Sequence, residues 1–203
     1  MQIANPKSIS SSELYELAAA TGKGIQHLYL HWTAGRYHQF FDDYHLNIDE
    51  DGKVYQTCDY LTERKSHTYK RNSGAIGITL CCCLDAHWSG TSPDFGSVPP
   101  TSAQLCSLAW VVAIICLAIR LEISSSTVMT HGEAAFRDGY GPGSGDPDTR
   151  WDLFWVPDAS DGRLQQGGVF IRELAKEFAQ RLQSRSMPTS TGEQPLLLPL
   201  FSE

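Results

Sequence analysis

Apolar positions along this chain repeat with two periods, and the changes between them mark the elements. Ser10-Ser11-Ser12-Glu13 sets a glutamate three residues after a serine, just ahead of Leu14, Leu17 and Ala18. That pattern predicts a capped helix ending near Gly22. Ile25 to His31 is rich in β-formers, with Leu28 and Leu30 on one face. It predicts a strand that closes on His31 and opens into a Trp32-Thr33-Ala34-Gly35 loop. Asp51-Gly52 separates two alternating runs, His45-Leu46-Asn47-Ile48 and Lys53-Val54-Tyr55-Gln56, which predicts a hairpin. Ala75 to Leu84 is an apolar run of strand length and predicts a central strand. Ser89 to Pro100 is rich in Gly, Ser and Pro and reads as a loop. Thr101 and Gln104 have the spacing to cap a long apolar helix running to about Leu121. Thr127 to His131 predicts a short strand ending in histidine, and residues 138–149 a glycine-rich loop. From about Gly168 to Ser184, Val169, Phe170, Leu174, Phe178 and Leu182 repeat at helical spacing.

Helices interleaved with strands and a hairpin predict an α/β fold, a central mixed β-sheet flanked by helices. A chain of 203 residues suits a single domain with a good-sized core. Residues 1–185 are assigned to that domain and 186–203, with Leu196-Leu197-Leu198-Pro199-Leu200-Phe201, to a C-terminal tail. The net charge of −7 argues against nucleic acid or an anionic membrane as a partner attracted by the mean field. The first residues lack a basic start followed by an apolar run, so no export leader is expected. The apolar stretch Leu108 to Leu121 is short for a membrane span and contains Arg120; it reads as a buried helix in a monomer. None of the six cysteines forms a Cys-x-x-Cys pair. They read as small hydrophobes in a reduced compartment rather than as a structural zinc knuckle.

The candidate chemistry lies at strand ends. His31 closes one apolar strand and His131 another, and strand ends leading into loops are where α/β folds place reactive groups. Two such histidines suggest a shared metal, because catalytic zinc takes three protein ligands and leaves one position open. For the third ligand, Gly145-Asp146-Pro147-Asp148-Thr149-Arg150-Trp151-Asp152 offers three aspartates, and spacing alone leaves the choice open.

Several segments in order resemble the N-acetylmuramoyl-L-alanine amidases, which share a fold with the peptidoglycan recognition proteins and the amidase-type phage lysozymes. His31-Trp32-Thr33-Ala34-Gly35 resembles their first-ligand motif. Tyr44-His45-Leu46-Asn47-Ile48 with Asp51-Gly52-Lys53-Val54-Tyr55-Gln56 is similar to their Tyr-His-Phe-x-Ile hairpin. Ser66-His67-Thr68, Asn72 and Ile76-Gly77-Ile78 are similar to a Ser-His-Ala, Asn, Ile-Gly-Ile stretch. Thr130-His131 resembles the strand that brings the second ligand. The resemblance covers roughly residues 25–155.

The resemblance implies a zinc amidase of peptidoglycan or muropeptides, with Zn2+ held by His31, His131 and Asp152. Asp152 is chosen because Arg150-Trp151-Asp152 keeps the family's base-x-acid spacing; Asp146 is the runner-up and Asp148 third. Arg150 then stabilises the oxyanion as a fixed charge, since arginine does not deprotonate. Tyr44 matches a tyrosine that some relatives use beside the metal. Thr79 stands where other relatives carry a glutamate base, which makes Glu133 a substitute candidate for proton transfer. Trp32, His67 and Asn72 match positions lining the cleft and are expected to bind substrate. The alternatives are a binding-only recognition protein of the same fold and a metalloamidase for another amide. Without a leader, the expected place of action is the wall after release or delivery, as for a phage lysin or toxin, or cytoplasmic muropeptides.

Overall fold

A computed structural model describes residues 1–88, 92–145, 150–158 and 162–186. The assigned tail from residue 187 onward lies outside the described residues. In chain order the elements are β1 (Gln2–Ile3), β2 (Lys7–Ile9), α1 (Ser11–Ala19), β3 (His27–Trp32), β4 (Phe40–Phe41), β5 (Leu46–Ile48), β6 (Val54–Gln56), β7 (Ala75–Leu80), β8 (His87–Trp88) and β9 (Pro93–Asp94). They continue with α2 (Ser102–Ile119), β10 (Val128–Thr130), α3 (His131–Asp138), β11 (Trp155–Pro157), β12 (Leu164–Gln166) and α4 (Gly167–Ser186).

The main sheet has six strands in the order β10-β3-β7-β5-β6-β2. Strands β10, β3, β7 and β5 run parallel, while β6 and β2 add on antiparallel, so the sheet is mixed. The Asp51-Gly52 turn between β5 and β6 forms as the sequence predicts, with Gly52 at φ +82°. The three caps are full capping boxes: Ser10 with Glu13, Thr101 with Gln104, and Thr130 with Glu133.

Strand period two sorts the faces of the sheet. Leu28, Leu30 and Trp32 of β3 and Ile76, Ile78 and Leu80 of β7 enter the main core. That core includes buried residues of α1, α2 and α4. Tyr29, Ala75 and Met129 face the other way and form a small second cluster with Ala134 of α3. His31 and Thr79 lie at alternate positions to the main-core residues, so they share the side of Tyr29 and α3. The sheet thus has a thick structural face and a thin face that carries the chemistry.

Helix α2 is apolar on nearly all sides because the sheet, α1 and α4 surround it. It starts at the Thr101 cap, as the sequence reading expects. Among the described residues it is the one helix long and apolar enough to cross a membrane by length and composition, and 56% of that span is buried inside the protein. The six cysteines are free thiols, five of them buried, and Cys81, Cys82 and Cys83 sit in the interior directly after β7.

Gln104 is one of the polar residues buried in the interior. It is fully buried and donates from Nε2 to the carbonyls of Ile48 and Cys81, both at 3.1 Å. It thereby ties the start of α2 to the ends of two sheet strands. Gln104→Leu removes these bonds and the capping box, and the expected cost is roughly 1–3 kcal/mol. The shift of the urea midpoint measures it; an unchanged midpoint refutes the tie.

Candidate metal centre

Strand register builds the centre. β10 runs parallel to β3 with Thr130 opposite Leu30. One residue further along, His131 therefore comes level with His31, and their rings lie 4.8 Å apart. The sequence reading placed His131 at the end of a strand. The structure ends β10 at Thr130, whose side chain caps α3, and makes His131 the first helical residue. The reason is local: the Thr130 hydroxyl accepts from the Glu133 amide, which turns the chain at that point.

Asp152 comes from the turn at residues 151–154, held to α3 by a bond from the Gly132 amide to the Asp152 carbonyl at 3.0 Å. The approach is close: a Cβ at Gly132 would fall 2.6 Å from the Phe154 Cβ and 3.2 Å from the Asp152 carbonyl oxygen. Asp152 Oδ2 lies 3.3 Å from His131 Nδ1 and 3.6 Å from His31 Nδ1. The three donor atoms all lie within 4.8 Å of one another. Asp146 and Asp148 lie outside the described residues.

These donors fit a zinc ion. Zinc bonds of about 2.0–2.1 Å in a tetrahedron separate their donors by about 3.4 Å, close to the spacings here. His31 Nδ1 is buried and has no hydrogen-bond partner, which is costly for a polar atom unless something else meets its lone pair. The opposite ring nitrogens are held from behind. His31 Nε2 lies 3.2 Å from Thr68 Oγ1, and His131 Nε2 lies 3.5 Å from the Tyr140 hydroxyl. Burial pushes the His31 imidazole down to about 4, which favours the neutral form that ligates metal. Burial alone would raise the Asp152 carboxyl, but the imidazoles of His131 and His31 outweigh it and hold the group below the usual carboxylate range.

Tyr44 stands beside the centre with its ring 5.1 Å from that of His31. Burial first, and then the Asp152 carboxylate, push its phenol well above the ordinary value, so it stays protonated. Arg150 is exposed at the surface, its amide bonded to the Tyr140 carbonyl at 3.2 Å, and its charge is felt by both Tyr44 and Tyr140.

The remaining candidates have structural partners. Trp32 is 4% exposed and packs edge-on against Trp151 at 4.5 Å, so it offers no open face to a sugar. His67 is buried, its ring laid against Gly77 so closely that a Cβ there would be 2.5 Å from the His67 Cγ. Asn72 Oδ1 accepts from the amides of His67 and Thr68 at 3.2 and 2.8 Å and so shapes the loop that carries them. Arg71 forks onto Asp138 at 2.7 Å through Nε and Nη2, clasping this loop to the end of α3. His45 accepts from the Gly77 amide at Nδ1 and donates to the Glu63 carbonyl from Nε2, a neutral, fully engaged core histidine.

Glu133, the substitute candidate for proton transfer, has both carboxylate oxygens engaged, at 2.7 and 2.9 Å from Arg172, and Oε2 also accepts from the Thr130 amide at 3.0 Å. The pair locks α4 to α3, with the carboxylate seated where a Cβ on Gly168 would be. Sequence reasoning missed Thr68 and Tyr140. Thr68 directly follows His67, and Tyr140 lies in a Gly-Tyr-Gly loop, so neither had a spacing that singled it out.

Glu133→Gln tests this reassignment. It is expected to lower stability by roughly 1–3 kcal/mol in urea denaturation, while the rate of amide hydrolysis per folded molecule stays at the parent value. A fall in kcat of about 10²–10⁴ with stability intact would restore Glu133 as a proton acceptor.

No curated protein matches the chain. A family model described as N-acetylmuramoyl-L-alanine amidase matches residues 21–147, a span that holds His31 and His131 and ends shortly before Asp152. With more than half its length matched by that model, the chain belongs to the N-acetylmuramoyl-L-alanine amidase family.

Proposed function

We propose that the protein is a zinc-dependent hydrolase that cuts the amide between N-acetylmuramic acid and the L-alanine of the peptidoglycan stem. The observation that carries this reading is the convergence of two imidazole nitrogens and one carboxylate oxygen within 4.8 Å, one of them buried without any hydrogen-bond partner. A zinc ion held by His31, His131 and Asp152 supplies Lewis acidity toward a carbonyl and brings water near neutral acidity.

The side chains around it have separate tasks. Tyr44, held protonated, is a donor and not a base. It hydrogen-bonds the oxygen that gains charge as the amide carbon becomes tetrahedral. Arg150 adds a positive field that is felt at Tyr44. Thr79 lies opposite His31 in the register of β3 and β7, and it offers a hydroxyl where some relatives offer a carboxylate. Asp152 is a ligand, and its lowered pKa keeps it ionised for that task. The proposed place of action is the wall, after release or delivery, or muropeptides in the cytoplasm.

The zinc-loaded protein incubated with purified muropeptides is expected to release free stem peptide beginning with L-alanine, read by mass spectrometry. Asp152→Ala should lose both zinc and release, while Asp146→Ala keeps both. Binding of muropeptide with no release by the parent would leave a recognition protein instead of an enzyme. Zinc loss from Asp146→Ala but not Asp152→Ala would overturn the ligand assignment.

Tyr44→Phe removes only the donor. Its kcat is expected to fall about 10²–10³-fold with zinc content unchanged, the usual cost of a lost oxyanion donor. A kcat within error of the parent would exclude Tyr44 from that role.

A further inference from the structure

Thr68 occupies a position for which the functional reading has no use. It is 1% exposed, and its hydroxyl lies between two imidazoles, 3.2 Å from His31 Nε2 and 2.9 Å from His67 Nδ1. Its backbone is pinned on both sides. The Thr68 amide donates to Asn72 Oδ1 at 2.8 Å, and the Thr68 carbonyl accepts from the Arg71 amide at 3.0 Å. Where the resembled stretch reads Ser-His-Ala, this chain reads Ser66-His67-Thr68, so the hydroxyl is a departure from that pattern.

A hydroxyl has one proton to give and lone pairs to receive. Between two imidazole nitrogens it can donate to only one of them. If His31 Nε2 carries the proton, it donates to Thr68 Oγ1, and the Thr68 proton passes to His67 Nδ1. His31 Nδ1 is then a bare lone pair pointing at Asp152 and His131. The reverse order would aim an N–H from His31 Nδ1 at Asp152 Oδ2 across 3.6 Å, too long for a hydrogen bond. Among the described residues, His31 Nδ1 and His67 Nε2 are the buried side-chain atoms left without a hydrogen-bond partner. The first order makes His31 Nδ1 a free lone pair at the centre and leaves the second proton of the pair on His67 Nε2.

We propose that Thr68 is a positioning residue that fixes the tautomer of His31, with His67 as the acceptor of its proton, and so presents Nδ1 as a ready ligand for a divalent cation. This rests on the reading of His31 as a metal ligand. The two are separable, because the tautomer exists in the protein before any metal arrives. Partners behind a metal-binding histidine typically change metal affinity by 10–100-fold when removed.

The test has two arms on the full chain. In the metal-free parent, nitrogen-15 NMR of the imidazoles is expected to find the His31 proton on Nε2; a proton on Nδ1 overturns the proposal whatever the zinc affinity. In the second arm, zinc affinity is measured by competition with a chelator. Thr68→Val and Thr68→Ala are expected to bind zinc about 10–100-fold more weakly than the parent. Thr68→Ser, which keeps the hydroxyl, is expected to rescue it. A folded Thr68→Val with parental affinity overturns the proposal, as does a Thr68→Ser as weak as Thr68→Val. Should Thr68→Val fail to fold, Thr68→Ser and the parent tautomer still decide. If the parent itself binds no zinc, the metalloenzyme reading falls, and the NMR arm alone decides the tautomer.

Discussion

Everything at the centre depends on the parallel register of β10 against β3. Thr130 opposite Leu30 leaves the following residues, His131 and His31, side by side at the strand ends. A slip of one residue would turn the side chains of β10 to the opposite face and separate the pair. The register is protected by what lies behind it: Leu28, Leu30 and Val128 are fully buried in the main core, and exposing them would cost roughly 1.5–3 kcal/mol each. Packing on one face of the sheet thus sets the chemistry on the other.

Around that fixed pair, the loops of the chain are fastened one by one. The loop with His67 and Thr68 is shaped by Asn72 and clasped by Arg71 to Asp138. The turn with Asp152 is held to α3 through the Gly132 amide, and α3 is locked to α4 by Glu133 and Arg172. None of these fasteners touches the donor atoms. Their shared effect is preorganisation: side chains from three separate parts of the chain are already in place, so little ordering remains to be done when a ligand arrives.

The sequence made the framework legible wherever a local rule acted alone. Ser10 with Glu13, Thr101 with Gln104, and the Asp51-Gly52 turn each formed where their spacing placed them, because caps and tight turns are decided within a few residues. His31 and His131 were readable from apolar strands ending in histidine, and the structure sets Asp152 beside them. What escaped was decided by tertiary partners. Glu133 looked available because sequence cannot show Arg172 approaching from α4. Trp32 was expected to bind substrate, and nothing local reveals Trp151 against its ring. Thr68 meets His31 only through folding, 37 residues further along the chain, and Tyr140 reaches His131 only because the chain turns back after α3.

One further consequence follows from how deep each donor lies. The His31 side chain is wholly covered, while those of His131 and Asp152 keep 10% and 13% of their surface open. Anything entering from solvent therefore meets the carboxylate and the outer imidazole before the inner one. A ligand leaving the centre would part from the innermost nitrogen first and from the carboxylate and outer imidazole last.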